Sequence, residues 1–231
     1  DAEVYIIAVG TPVSPDGQPD STQIRSAAEE IGRKLKKGDL VVFRSTVTVG
    51  TCRSEMLPVL ESASGLQCGR DFHLAFAPER TVEGKALQEL RTLPQVVGGF
   101  DRNATDLAAN LFREITPSIV AVDSLEEAEM VKLVNNSFRD LSFAFANEFA
   151  MACEPLNLDA GKIIRTANEG YPRNRIPEPS PGVGGLCLKK DPYLYAHVVR
   201  RSGIESPLSK LGREVNERMP ALVAKKVRDA L

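Results

Sequence analysis

Short runs of β-branched residues alternate with stretches of helical periodicity from Val4 to Val122. This alternation is typical of βαβ units, whose strands form a parallel sheet. Apolar residues recur at helical spacing between Ile24 and Leu35, which predicts a crossover helix after the first strand. The predicted strands are Val4 to Val9, Leu40 to Val47, His73 to Phe76, Gln95 to Val97 and Ile119 to Val122. The sequence therefore predicts an α/β fold built on a parallel sheet.

The strand pattern ends after Val122, and the remaining sequence is helical. A single helix is predicted from Ser124 to about Cys153, with acidic residues in its first turn and apolar residues over most of its circumference. Such a helix is suited to a domain spine or a dimer core. A loop rich in Pro, Gly and Arg follows at 170–185, and then two helices at about 192–201 and 207–231. We predict two domains, 1–123 with a partial Rossmann-like sheet and 124–231 as an all-helical dimerisation domain.

Composition excludes several classes of protein. The chain carries 29 Lys and Arg against 31 Asp and Glu, a net charge of -2, so no broad positive field is available to bind nucleic acid. No apolar stretch approaches the roughly 20 residues that a membrane helix needs, and the first residues lack the basic start of a signal peptide. The four cysteines form no Cys-x-x-Cys pair, which argues against a zinc site or a disulfide framework. We therefore expect a cytoplasmic protein with reduced thiols and no metal site.

The segment from Gly182 to Asp191 is the sharpest local motif. Its glycines would let the backbone approach a ligand closely, just before the thiol of Cys187. Lys189 and Lys190, together with a helix beginning near Asp191, would favour the thiolate and so a nucleophile. A buried structural cysteine beside a glycine turn is the alternative interpretation. The pattern alone does not decide between them.

Polar residues also stand out on the long helix and after the predicted strands. Lys132 and Asn136 are four residues apart and share one helix face, either to bind a developing oxyanion or at a solvated edge. Glu79 follows the third strand, and Thr11 and Thr46 follow the first two. Ligands bind at this edge of open α/β sheets, although such residues also cap turns. The Gly-x-Gly-x-x-Gly fingerprint of dinucleotide-binding folds does not occur.

Taken in order, six segments resemble the UDP-glucose/GDP-mannose dehydrogenase family. The match extends over nearly the whole chain, and its order and spacing make chance improbable. The resemblance implies that a βαβ unit with the glycine fingerprint precedes Asp1 and that a nucleotide-binding domain follows Leu231. The segments are Val9–Pro12, Asp16–Asp20, Ser45–Val47, Pro78–Gly84, Lys132–Asn136 and Gly182–Asp191.

The resemblance implies a four-electron oxidation of the C6 alcohol of a nucleotide sugar, using NAD. By this resemblance Cys187 carries the sugar as a thiohemiacetal and then as a thioester, which water hydrolyses to the uronate. Glu79 matches the carboxylate assigned to that hydrolysis, and Asp191 matches an acid–base partner that orders water. Lys132 and Asn136 match the pair that steadies oxygen anions. Thr46 matches a residue placed near C6 and the cofactor.

The resemblance also implies binding residues and a partner. The positions that match NAD contacts are Thr11, Thr46, Glu83 and Lys190. The positions that match substrate contacts are Glu79, Arg80, Glu83, Lys132, Asn136, Ile176, Pro177, Glu178, Pro179, Ser180 and Gly184. Arg173 resembles an arginine donated by a second subunit, so a homodimer through the long helix is expected.

Several positions depart from the family pattern. Lys189 and Thr48 stand where proline is common, and Ala77 stands where asparagine commonly precedes Pro78. The sequence around the 170–185 loop leans toward the branch that oxidises UDP-N-acetylhexosamines, notably UDP-N-acetylmannosamine. Two other interpretations remain open. One is a two-electron β-hydroxyacid dehydrogenase, which uses a Lys-x-x-x-Asn pair and needs no Cys187; the other is a non-catalytic dimerisation core.

Overall fold

The computed structural model describes residues 2–14 and 17–231, with the backbone but not the side chain of Leu186. Asp16, which belongs to one of the motifs quoted above, lies outside the described residues, as do Asp1 and Pro15. The chain divides into two compact units, Asp1–Leu133 and Val134–Leu231.

The first unit contains a five-stranded sheet. Its strands occur in the sheet in chain order, and the first three run parallel to one another. All five predicted strands are present, although the second ends at Phe43 and not at Val47. The strands are β1 (Val4–Ile7), β2 (Leu40–Phe43), β3 (His73–Phe76), β4 (Gln95–Gly99) and β5 (Ile119–Ala121).

The prediction of a wholly parallel sheet is wrong at one place. β4 pairs with β3 in antiparallel direction, whereas β4 and β5 are parallel. Glycines allow other backbone to approach this strand end. A Cβ atom at Gly98 would lie 2.1 Å from the Ser124 carbonyl oxygen, and one at Gly99 would lie 2.4 Å from the Thr105 nitrogen. A side chain at Gly98 would therefore displace the turn that follows β5. One at Gly99 would displace the first turn of the helix that follows β4.

Helices cover both faces of this sheet. One apolar cluster joins one face to the first two α-helices, with Phe43 and Phe76 fully buried in it. The other joins the opposite face to the fourth α-helix through Ala108 and Phe112. Alternate strand residues point to opposite faces, and the three central strands contribute to both clusters. The helices are α1 (Thr22–Gly32), α2 (Leu57–Ser64) preceded by a π-helical turn (Cys52–Met56), α3 (Ala86–Thr92), α4 (Arg102–Arg113) and the first part of α5 (Leu125–Cys153).

The second unit is helical. It contains the rest of α5, then α6 (Ala160–Asn168), α7 (Leu186–Arg201) and α8 (Pro207–Ala230). The α/β class, the long helix and the irregular 170–185 loop are confirmed. Helix α7 begins at Leu186 and not near Pro192, so the predicted start is wrong. Within the described residues, no helix has both the length and the hydropathy required of a membrane span.

Candidate active site

The carboxyl ends of β1 and β2 carry two of the predicted cofactor residues. These strands are parallel neighbours, so the segments that follow them leave the sheet at the same edge. The Thr11 hydroxyl donates to the Thr46 carbonyl oxygen at 2.5 Å, and the Ser45 hydroxyl donates to the Val9 carbonyl oxygen at 2.7 Å. Thr11 is buried and Thr46 is partly buried. The structure thus brings Thr11 and Thr46 together in the first unit.

Glu79 follows β3 and is the centre of a charged cluster. Its carboxylate accepts from the Arg44 guanidinium and, at 2.8 Å, from the Thr81 backbone N–H. Arg44 also donates to Gln95 at 3.0 Å and lies 4.9 Å from the centre of the Phe112 ring. Burial by itself would raise the pKa of Glu79, but the hydrogen bond from Thr81 and the charge of Arg44 outweigh it, and the pKa is lowered. Glu79 is therefore a carboxylate at neutral pH.

Lys132 is buried on α5 and contacts the same loop. Its ammonium group donates to the backbone carbonyl oxygen of Glu79. The structure thus joins Lys132 and Glu79, whose sequence positions are distant. The loop contains two other residues that were predicted to bind substrate, Arg80 and Glu83. Arg80 donates to the Pro94 carbonyl oxygen, and Glu83 is exposed in a turn.

Glu129 is a buried carboxylate of this unit that sequence reasoning missed. It is 1% exposed and accepts from the backbone N–H groups of Gly50, at 2.6 Å, and Cys52, at 2.9 Å. Burial raises its pKa to about 7, against the opposing effect of those two donors. Glu129 therefore ties α5 to the loop that follows Thr46. A Glu-x-x-Lys spacing on an apolar helix is the signal that could have identified it.

Cys187 lies in the first turn of α7, in the second unit. Its side chain is exposed, whereas Cys52, Cys68 and Cys153 are buried, and all four thiols are free. Burial raises the pKa of Cys68 to about 12 and that of Cys52 well above its ordinary value. Cys187 therefore differs from the other three cysteines in the exposure of its thiol.

Asp191 lies one turn after Cys187 and is fully buried. One of its carboxylate oxygens accepts from the Asn136 amide at 2.5 Å, and the other pairs with the Lys190 ammonium at 2.9 Å. A buried carboxylate requires such partners because an unpaired charge is costly to desolvate. The structure therefore groups Asn136, Lys190 and Asp191, three residues that the sequence selected separately.

The predicted substrate loop is anchored by two asparagines. Asn168 exchanges two hydrogen bonds of 2.8 Å with the backbone of Ile176, and Asn147 accepts from the Ser180 N–H at 2.8 Å. A cavity of about 490 Å³ lies at the first of these anchors. Its lining residues are Arg165, Asn168, Glu169, Tyr171, Asn174, Arg175, Ile176, Pro177 and Glu178.

The other predicted residues of this loop are more open. Arg173 is exposed and packs on Tyr171, with 5.6 Å between its guanidinium carbon and the ring centre. Glu178 pairs with Arg165 at 3.4 Å. Pro179 is partly buried, and Gly184 is exposed with open space around its Cα. The loop is therefore fixed at Ile176 and Ser180 and open between Tyr171 and Arg173.

The family models match both parts of the chain. Residues 1–116 match the UDP-glucose/GDP-mannose dehydrogenase family, NAD binding domain, and residues 126–218 match the central domain of that family. These matches confirm the resemblance found in the sequence motifs.

Individual relatives agree with the family models. The UDP-N-acetyl-D-mannosamine dehydrogenase of Pyrococcus horikoshii is 37% identical over 230 residues, which cover 100% of this chain and 54% of the relative. The NDP-N-acetyl-D-galactosaminuronic acid dehydrogenase of Ralstonia solanacearum is 37% identical over 235 residues, covering 99% and 55%. A solved structure of the UDP-D-ManNAc dehydrogenase of Pyrococcus horikoshii has a TM-score of 0.92 at 38% identity, covering 100% and 54%.

The chain thus spans about half the length of the relatives that it matches. The residues that match the NAD binding domain precede those that match the central domain, as the first unit precedes the second along the chain. The chain belongs to the UDP-glucose/GDP-mannose dehydrogenase family, with residues that match the models of its NAD binding and central domains.

Proposed function

We propose that the whole protein is an NAD-dependent nucleotide-sugar 6-dehydrogenase that oxidises a C6 alcohol to a carboxylate through a thioester on Cys187. The observation that carries this proposal is the contrast between the exposed thiol of Cys187 and three buried thiols. The exposed thiol lies one helical turn from a buried carboxylate that is held by an amide and an ammonium group. A thiol, an oxyanion-binding pair and carboxylates are what two oxidations and a hydrolysis require.

The residues at the sheet edge fit a dinucleotide. Thr11 and Thr46 follow β1 and β2 at the carboxyl edge of the sheet, where open α/β sheets bind ligands, and they supply hydrogen-bonding groups there. Bound NAD would accept a hydride from C6 in each of the two oxidations. Within this chain we assign its contacts to Thr11, Thr46, Glu83 and Lys190.

The covalent steps fall to the thiol and its neighbours. The sulfur of Cys187 adds to the aldehyde carbon, and the resulting thiohemiacetal is the species that undergoes the second oxidation to a thioester. Water then adds to the thioester carbonyl, the C–S bond breaks, and the uronate leaves as the thiol recovers a proton. Lys132 and Asn136 stabilise the oxygen anions in these steps.

Two carboxylates take the proton transfers. The lowered pKa of Glu79 keeps it ionised, so it can accept a hydrogen bond from the attacking water. Asp191, which Asn136 and Lys190 hold in place, orders water near the reacting carbon. Thr46 lies in our assignment beside C6 and the cofactor.

The substrate is proposed to be a UDP-N-acetylhexosamine, notably UDP-N-acetylmannosamine. This choice is supported by the sequence of the 170–185 loop and by relatives named for N-acetylhexosamine dehydrogenases. We assign substrate contacts to Glu79, Arg80, Glu83, Lys132 and Asn136 and to the loop residues Ile176, Pro177, Glu178, Pro179, Ser180 and Gly184.

We also propose a cytoplasmic homodimer that pairs along α5, with Arg173 donated to the partner's site. Phe138 and Phe145 on this helix are 70% and 57% exposed, an unusual exposure for phenylalanine that a second copy would cover. The proposed functional boundary between the NAD binding domain and the helical domain lies at residues 123 and 124. It is supported by the end of β5 at Ala121 and the start of α5 at Leu125.

The test is the number of NADH molecules formed per sugar consumed, in the whole protein with its flanking segments. UDP-glucose, UDP-N-acetylmannosamine, UDP-N-acetylglucosamine and GDP-mannose are the substrates to compare. We expect a ratio near two that is lost in Cys187→Ala and kept in the matched control Cys153→Ala. A ratio near one that is indifferent to Cys187→Ala would identify a two-electron alcohol dehydrogenase. Absence of turnover with all four sugars would favour a non-catalytic dimerisation core.

A further inference from the structure

Helix α7 contains a proline that interrupts its hydrogen bonding next to Cys187. Pro192 lies inside the helix and has no backbone N–H, so it cannot donate to the carbonyl group four residues earlier, that of Leu188. Leu188 directly follows Cys187 in the chain. The first turn of α7, which carries the thiol, therefore lacks one of the bonds that would hold it to the rest of the helix.

A side chain from α8 occupies the free carbonyl group. The Arg213 guanidinium donates to the Leu188 carbonyl oxygen at 3.3 Å. The same group pairs with Asp140 on α5 at 2.7 Å and with Glu217 on α8 at 3.0 Å. Arg213 and Asp140 are 2% and 0% exposed, so this ion pair is desolvated. The planar guanidinium can make all three contacts at once because it presents several donors in a fixed fork.

A second residue of α8, Asn216, adds further hydrogen bonds to Asp140 on α5. Asn216 donates to the Asp140 carboxylate at 2.9 Å and to its carbonyl oxygen at 3.0 Å, and it accepts from Asn147 at 2.9 Å. Buried ion pairs contribute little net stability compared with apolar residues of the same volume. Their benefit here is geometric, since the network fixes α8 to α5 and presents a donor to the start of α7.

We propose that Arg213 is a positioning residue for Cys187. It replaces the helix hydrogen bond that Pro192 removes and thereby sets the place of the first turn of α7 against α5 and α8. The inference deepens the proposed function, on which it rests, because it assigns Arg213 to the step in which the thiol attacks. Arg213 acts through the Leu188 carbonyl group and does not contact the reacting atoms.

The chain offers a compensating substitution that separates positioning from folding. Arg213→Lys keeps a positive charge for Asp140 but loses the fork, and with it the bond to Leu188. Pro192→Ala supplies a backbone N–H at residue 192, which can donate to the Leu188 carbonyl group as in an unbroken helix. Glu217→Gln is the matched control, since it alters the third contact of Arg213 and leaves the other two.

Steady-state turnover of the whole protein is the main measurement. We expect Arg213→Lys to lower kcat roughly ten- to a hundredfold, the range for a nucleophile displaced by a fraction of an ångström to about one, with KM nearly unchanged. Adding Pro192→Ala should recover most of this loss, and Glu217→Gln should leave kcat unchanged. Loss of thermal stability with an unchanged kcat, or losses that multiply in the double variant, would overturn the proposal.

The alkylation rate of Cys187 keeps this test apart from the test of the reaction. Iodoacetamide should label this exposed thiol ahead of the three buried ones. The proposal requires Arg213→Lys to change the labelling rate and Pro192→Ala to restore it, whatever reaction the protein catalyses. An unchanged rate would reject the positioning role, whereas turnover that survives Cys187→Ala would reject the proposed function alone.

Discussion

The two units hold their functional residues in place by different means. In the first unit, fully buried apolar side chains pack on both faces of a sheet, with Phe43 and Phe76 on one face and Val42 on the other. The polar residues of this unit lie at the strand ends and on α5. In the second unit, the described contacts around the site residues centre on a buried polar network of Asp140, Arg213 and Asn216. Apolar packing stabilises without direction, whereas hydrogen bonds impose distance and angle. Stability is therefore concentrated in the sheet, and accuracy of position in the helices.

The largest expected effect is on the sheet. Phe43→Ala should lower the free energy of unfolding by about 4–5 kcal/mol, because it removes a fully buried ring from a packed cluster. Hydrogen exchange in denaturant should show the loss in 1–133 first. Leu87→Ala is the control, since Leu87 is 81% exposed on α3 and should change stability by less than about 0.5 kcal/mol. Equal effects of the two substitutions would contradict the assignment of the core.

The polar network should respond differently. Arg213→Met leaves Asp140 buried without its charge partner and should cost about 3–4 kcal/mol. Combining it with Asp140→Leu should recover most of that cost, because two apolar residues need no partner. Thermal unfolding of the single and double variants measures both. A double variant that is no more stable than Arg213→Met would show that the network is a main source of stability. That result would contradict the claim that stability is concentrated in the sheet.

Glu129 gives the first unit a pH dependence. Its pKa is raised from the ordinary 4.5 to about 7, so the folded chain binds this proton more tightly than the unfolded chain does. The associated stability is fully present below about pH 4.5 and is lost as pH rises through about 7, a total of roughly 3 kcal/mol. Glu129→Gln should flatten this part of the profile in denaturant titrations between pH 4 and 8. A profile parallel to that of the unaltered chain would contradict the raised pKa.

Exposed ion pairs should contribute least to the free energy of unfolding in either unit. Lys225 and Asp229 form an exposed pair one turn apart near the end of α8, with 2.7 Å between the charged atoms. Asp229→Asn should cost less than about 0.5 kcal/mol, and added salt should remove the difference. Comparison with the i,i+4 pair of Glu30 and Lys34 on α1 tests whether the two units are alike at the surface. A cost above 1 kcal/mol would show that the end of α8 is tied down by more than this pair.

The sequence was sufficient for the strands and the long helix because their signals are local and periodic. It did not predict the direction of β4, since the run at Gln95 has the same pattern in either direction and the glycines that allow its close approach carry no directional signal. It placed the start of α7 too late because proline is common at the first position of a helix. Pro192 is tolerated inside α7, with the Leu188 carbonyl group bonded to Arg213, a residue more than 20 positions away.

The site residues divide in the same way, into those with a local sequence signal and those placed by tertiary packing. Cys187, Lys132, Asn136 and Glu79 stand out in the sequence because reactive or polar residues follow glycines, interrupt an apolar helix or end a strand. Their partners could not be predicted in this way. Arg44 reaches Glu79 across 35 positions and Arg213 reaches Asp140 across 73, and such pairs depend on tertiary packing alone.

The covalent intermediate on Cys187 is the most direct test of the central claim. A Glu79→Gln variant of the whole protein should slow thioester hydrolysis, so that enzyme mixed with NAD and the nucleotide sugar accumulates acylated protein. Peptide mass spectrometry should then locate a uronyl adduct on Cys187, and hydroxylamine should release it. Turnover to the uronate with no adduct on this residue, in the variant and in the unaltered protein, would contradict the thioester route.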